Sequence, residues 1–265
     1  MGSALRTRRE FVLFRTGTGV ILRGLITLLL ATRNAHKIGE IRAVLGDRVG
    51  YSSLKDYTHA PEVIEDAATF AGNATKKAVA LAAWITSMRN TEHGTRKTSP
   101  LFVLADDSGL EVDALAGAPG VHSARFAALD SGEPGNSSDA DNNAKLLRLL
   151  QDVPREKRTA RFRCVLALTP VLATHKQSAS PVCYANELEL ATELFEGFCD
   201  GVIAYAPFGN GGFGYDPLFV PEGFETTFGE LGEAVKNQMS HRDAALVKLK
   251  AWLIRESAQG PGNQL

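Results

Sequence analysis

Cysteine is scarce in this chain. Cys164, Cys183 and Cys199 are the only three among 265 residues. Odd in number and widely spaced, they form neither a disulfide framework nor a zinc-ligand pattern. A reducing, cytoplasmic setting is the simplest home for such a chain. Net charge is equally sparse, at −1. No global field draws the protein to nucleic acid or to an anionic membrane, so neither is an expected partner. No window reaches the roughly 18 consecutive apolar residues of a membrane span. A serine-hydrolase reading through Ser108 or Ser240 fails because no Gly-x-Ser-x-Gly elbow occurs. Any phosphate binding must come from local Lys, Arg and backbone N–H groups.

What is present suits a substantial core, since 44% of residues are hydrophobic. The length allows one large α/β domain or two small ones. Residues 1–24 carry Arg6, Arg8, Arg9, Arg15 and Arg23 against Glu10. Their apolar stretches are too broken for a secretory signal, so they read as a disordered extension. A folded unit is expected over residues 25–258, with a frayed tail at 259–265. Leu25 to Ala31 has the pattern of a buried strand, and Ile38, Ile41 and Leu45 recur at helical spacing after it. Ala67 to Met88 predicts a long Ala-rich helix, Thr159 to Thr169 a strand and Ser240 to Leu253 a last helix. Glu187 to Phe198 fits strand or helix. Segments 89–100 and 170–186 read as loops. The alternation predicts an α/β fold with a central mixed β-sheet flanked by helices.

Four constellations carry chemistry. Asp106 and Asp107 follow the apolar run Leu101 to Ala105, and Ser108-Gly109 reads as a turn at that strand's end. Two adjacent carboxylates are costly unless a cation relieves them, which suits magnesium on a phosphate ester. An ordinary Asx turn is the bland alternative. Thr32, Arg33, Asn34, Ala35, His36 and Lys37 lie between the first strand and first helix, where backbone N–H groups favour anions. The loop lacks the Gly-x-x-x-x-Gly-Lys pattern, and simple capping by Asn34 is the alternative there. Glu65 precedes the Ala-rich helix, either as a dipole partner or as a metal ligand beside Asp107, and Lys76 or Lys77 could reach phosphate. Finally, the glycine-dense loop with Phe213, Gly214, Tyr215 and Asp216 could hold a flat base, with Lys236, Ser240, His241 and Arg242 as nearby donors.

Taken together, the segments ATRNAHKIGEI, EDAATFAGNATKKA, LADDSGLEVDALAGAPGVHSARF, GNGGFGYDPLF and KNQMSHRDAAL resemble the inosine/xanthosine triphosphate pyrophosphatase family. The match runs from about Leu25 to Leu253. The resemblance implies an elongated, two-lobed α/β fold and a homodimer. It implies magnesium-dependent hydrolysis of non-canonical purine nucleoside triphosphates to the monophosphate and pyrophosphate. By the same resemblance, Asp107 is the proton acceptor and a metal-binding acid, with Glu65 the other metal-linked acid. Thr32 to Lys37, Ser108 and Lys77 would contact the triphosphate, and Phe213 to Asp216, Lys236, His241 and Arg242 the base. Two departures stand out. Arg33 occupies a position where the family often has a small residue, and Gly72 one where it usually has an acid. A related hydrolase acting on modified pyrimidine triphosphates and a non-catalytic nucleotide-binding module are the other readings of the same segments.

Overall fold

A six-stranded mixed sheet in the order β2-β1-β3-β4-β5-β6 organises the molecule. The computed structural model describes residues 26–57, 59–91, 101–132, 135–172 and 187–259. The N-terminal extension, Cys183 and residues 260–265 lie outside the described residues. So do 92–100 and 173–186, which take in most of the two expected loops.

The strands are β1 (Thr27–Leu30), β2 (Gly50–Ser53), β3 (Leu101–Val112), β4 (Thr159–Pro170), β5 (Glu193–Ile203) and β6 (Phe219–Pro221). β1 pairs parallel with β2 and β3, and the remaining pairs are antiparallel. The helices are α1 (Ala35–Leu45), α2 (Phe70–Thr91), α3 (Ala128–Ser131), α4 (Asp139–Leu149), α5 (Glu187–Leu190), α6 (Phe228–Leu231), α7 (Glu233–Met239) and α8 (His241–Gln259). Among the described residues, no helix is long and apolar enough to cross a membrane.

Successive strand residues point to opposite faces, and the helices divide accordingly. Leu29, Val103, Ala105, Val165 and Ala167 pack with Ala74, Ala78, Leu81 and Ile85 of α2. Leu28, Leu30, Leu104, Leu166 and Leu168 pack with Ile41 and Leu45 of α1 and with Leu246 and Leu249 of α8. β1 is covered on both faces, which is why it reads as an unbroken apolar run. Further along the long strands, Leu110, Val112 and Phe162 meet Leu146 of α4 together with Tyr215, Phe219 and Phe228.

Two local expectations change. Asp106 and Asp107 are not at a strand's end, because β3 continues to Val112 and Ser108-Gly109 extends it. The cause is the partner strand: Phe102 to Val112 pairs with Ala160 to Pro170 along its whole length. Gly109 is there for close approach. A Cβ on it would fall 2.4 Å from Ser123 Oγ and 2.6 Å from the Gly120 carbonyl. The ambiguous segment from Glu187 holds both structures, one turn of helix and then β5.

Candidate active site

Alternation along β3 sends its two aspartates to opposite faces. Asp106 points with Leu104 toward α1 and α8. Asp107 points with Ala105 toward α2. They are therefore not one acid pair but two separate sites on a single strand.

On the α2 face, the Asp107 carboxylate is buried. Its Oδ2 accepts from Asn73 Nδ2 at 3.0 Å, and its Oδ1 accepts from the Ser108 N–H at 3.0 Å. Burial pushes the carboxyl up to about 6, and the negative charges of Glu65 and Asp106 add to the rise; the Asn73 hydrogen bond pulls the other way. Glu65 lies in the segment preceding α2. Its carboxylate pairs with Lys77 of that helix, and its carbonyl accepts from Arg125 at 3.1 Å. Lys77 also donates to the Asp106 carbonyl at 3.1 Å. Lys76 turns outward to Asp66, 2.5 Å away, so of the two lysines it is Lys77 that faces the acids.

On the opposite face, Asp106 accepts from Lys37 of α1 and, at 3.0 Å, from Arg242 Nε of α8. Burial opposes its charge. The Arg242 and Lys37 cations outweigh that and hold the carboxyl well below the usual carboxylate range. Arg242 is 1% exposed. Its other two nitrogens donate to Glu40 and, at 2.9 Å, to Ser108 Oγ. Arg242 thus ties the final helix to α1 and to both neighbours of Asp107. Glu40 also lies 3.9 Å from Lys236, which donates to Asp216 Oδ2 at 2.6 Å.

The phosphate-loop candidates are held by their own chain. The Asn34 N–H donates to Thr32 Oγ1 at 3.1 Å, and Asn34 Oδ1 caps α1 through the His36 and Lys37 N–H groups. The capping reading of Asn34 is therefore observed. It leaves the backbone of residues 32–37 wrapped around a helix N-terminus, with Arg33 exposed. His36 stacks on Phe213, ring centroids 5.6 Å apart, which brings this loop against the glycine-dense one. Phe213 also carries Lys236 Nζ 4.2 Å from its centroid. Asp216 Oδ2 accepts the Phe213 N–H at 2.8 Å. Gly212 permits that turn, since its φ is +76° and a Cβ would sit 2.0 Å from Asp216 Oδ2. Tyr215 is a core residue whose hydroxyl donates to the Ser123 carbonyl at 2.9 Å. Gly214 is clasped from α4: its N–H donates to Asp139 at 2.7 Å and its carbonyl accepts from Asn143 at 3.0 Å. His241 is buried and stacked on Phe162 at 4.9 Å, and its Nδ1 has no hydrogen-bond partner. Burial and the Arg242 and Lys236 charges push its pKa well below the usual histidine value, so the ring is neutral.

Glu40, Asn73, Asp139 and Asn143 escaped the sequence reading. Glu40 stands three residues after Lys37, and Asn73 four before Lys77, so helical spacing alone places each on its neighbour's face. Nothing local signals Asp139 and Asn143, whose partner Gly214 is 75 and 71 residues away.

Gly72 lies in the first turn of α2. A Cβ there would meet Ala67 Cβ at 2.8 Å and Thr69 Oγ1 at 3.1 Å. The departure at position 72 is thus matched by a filled space. Gly72→Glu is expected to lower stability by about 1–3 kcal/mol in urea unfolding, the usual cost of overpacking. Ala67→Gly in the same chain should restore most of it. A Gly72→Glu variant as stable as the parent would show that Ala67 moves aside freely.

Fold and site together define an α/β protein built around a buried, cation-flanked acid on its central strand. The Ham1 family model matches residues 28–252. The dITP/XTP pyrophosphatase of Shouchella clausii is 42% identical over 223 residues, covering 84% of this chain and 94% of that protein. The dITP/XTP pyrophosphatase of Geobacillus kaustophilus is 45% identical over 223 residues, covering 84% and 91%. Among solved structures, a HAM1 protein from Coxiella burnetii superposes with a TM-score of 0.67 at 32% identity, covering 87% of this chain and all of that one. The chain belongs to the Ham1 family.

Proposed function

We propose that this protein hydrolyses non-canonical purine nucleoside triphosphates (ITP, dITP and XTP) to the monophosphate and pyrophosphate, with Asp107 as the base. The observation that carries the reading is the placement of Asp107, a buried carboxyl held by Asn73 and the Ser108 N–H beside the Glu65–Lys77 pair, where burial pushes it up to about 6 in the absence of metal. A base tuned near the working pH is both ionised and able to hold a proton. Ionised Asp107 takes a proton from water as the water oxygen bonds to the α-phosphorus. The bond from that phosphorus to the bridging oxygen breaks, and pyrophosphate leaves with the electron pair. In this reading Lys37 and Lys77 would offset phosphate charge, although each already has a carboxylate partner.

Among the described residues, no cluster of three or more His, Cys, Asp or Glu side chains is assembled. Two carboxylates still fit magnesium, which commonly takes one or two protein carboxylates and completes its shell with phosphate oxygens and water. Glu65 and Asp107 would hold it, and it would supply the positive charge that the paired lysines do not. Magnesium and a homodimer are carried over from the family resemblance, and a cytoplasmic setting from the sparse cysteines, as parts of this proposal.

Base choice rests on neutral His241 and on the N–H groups of Arg242 not already committed. Hypoxanthine and xanthine present a carbonyl at C6, an acceptor. Adenine presents an amino group there, so a donor would face a donor. One such unpaired polar group costs about 1–3 kcal/mol. Pyrophosphate release from ITP, XTP, dITP, GTP and ATP, with and without magnesium, tests the reading. Release from the first three should need magnesium and exceed release from ATP by at least about 10-fold. Equal rates on all five would retire the base-pocket argument. Release from none would retire the hydrolase reading.

A further inference from the structure

We propose that Asn73 is a positioning residue that fixes the two metal-linked acids relative to one another. The proposal rests on the reading of Asp107 and Glu65 as those acids. Asn73 is 1% exposed, and both ends of its amide are used. Nδ2 donates to Asp107 Oδ2 at 3.0 Å. Oδ1 accepts from the Ala67 N–H at 2.8 Å. Ala67 is two residues beyond Glu65, so one amide joins the strand carrying Asp107 to the segment carrying Glu65.

Asparagine is the side chain this position demands. The site needs one donor and one acceptor, at the two tips of a short planar fork. Aspartate would set an acceptor against the Asp107 carboxylate. Leucine would leave the Ala67 N–H and a carboxylate oxygen unpaired. The amide orientation follows from the same logic, since reversing it would put a carbonyl against the carboxylate and an N–H against an N–H. Its Cα is fixed in turn, because the Asn73 backbone N–H donates to the Thr69 carbonyl at 3.0 Å in the first turn of α2. One helical turn later, Lys77 pairs with Glu65. Helix α2 therefore grips both acids, Asp107 through Asn73 and Glu65 through Lys77. Gly72 supplies no carboxylate beside them, so the spacing of these two acids falls to α2.

Asn73 touches Asp107 and not the substrate, so its loss should act through Asp107. Removing a group that orients a metal ligand typically costs about 10–100-fold in metal affinity or activity. Three readouts on the full chain test this in Asn73→Ala: thermal unfolding, steady-state kinetics with ITP, and Mn2+ binding by electron paramagnetic resonance without nucleotide. The variant should fold. Its kcat should fall at least about 10-fold with KM for ITP within about twofold, and its Mn2+ affinity should fall at least about 10-fold. Parental kcat and Mn2+ affinity, or a rise in KM alone, would overturn the proposal. Asn73→Gln keeps both polar groups one methylene further out and is judged by the same outcomes if the alanine variant does not fold. If the parent protein hydrolyses none of the five nucleotides yet binds Mn2+ in an Asn73-dependent way, the substrate reading fails and this proposal stands.

Discussion

Asp107→Asn should lose at least about 100-fold in kcat, the low end for removing a general base, while unfolding at a higher temperature than the parent at pH 8. The two effects have one origin. Burial in the folded protein lifts the Asp107 carboxyl to about 6, against 3.8 for an ordinary aspartate such as the unfolded chain carries. Between those values the folded state binds more protons than the unfolded chain, so stability falls as pH rises through the window. Above it both states are ionised and the whole penalty is present. Below about pH 4 both are protonated and the penalty is gone. A shift of this size corresponds to about 3 kcal/mol. The asparagine recovers only part, because its amide nitrogen would face the Ser108 N–H that now donates to Oδ1. A gain of about 1 kcal/mol at pH 8 is expected, turning into a loss of about 1–2 kcal/mol near pH 4, where the parent has shed its penalty and the misplaced amide remains. Thermal unfolding of both proteins at the two pH values, without divalent metal, reads it directly. An Asp107→Asn protein with parental turnover would remove Asp107 as the base; one destabilised at pH 8 would contradict its burial as a charged, desolvated group.

Arg242→Met is expected to destabilise the fold by about 3–5 kcal/mol, the usual cost of leaving a buried ion pair with one partner. Asp106 and Glu40 both lose their guanidinium, and Ser108 loses a donor. For a protein of this size the loss corresponds to a drop of roughly 10 °C in Tm. Arg242→Lys keeps the charge but not the fork that reaches three partners at once, so it should recover only part. Asp106→Asn in the methionine background should recover more, since it removes the carboxylate left stranded. Urea unfolding of the three variants tests the order. Parental stability in Arg242→Met would mean the network is no keystone.

Much of this molecule is legible in one dimension. β1 reads as buried because it is apolar at every position, and α2 reads as a helix because Phe70, Ala74, Ala78, Leu81 and Ile85 fall on one face. What was not legible is whatever depends on a distant partner. β3 gives no sign that it continues past Asp107, because the β4 residues that hold it extended, Cys164 back to Ala160, lie far along the chain. The aspartate pair reads as a single acid cluster until the pleat is known to separate it. Arg242 reads as a base contact because it clusters with other donors at a helix start and matches the family resemblance. Its attachment to Asp106, 136 residues away, belongs to the tertiary structure alone.

The pleat of β3 also behaves as a phase. Asp106 answers to Lys37 and Arg242, and Asp107 to Asn73, only while the count of residues from Leu101 is kept. Insert or delete one residue in Leu101 to Ala105 and the parity inverts. The strongly paired aspartate would then swing toward α2, and Asp107 would be clamped between lysine and arginine, ionised but too acidic to hold a proton. Such a lesion would leave every side chain of the site in the sequence and exchange the jobs of two identical residues. Length, more than composition, is what that short stretch transmits to the chemistry.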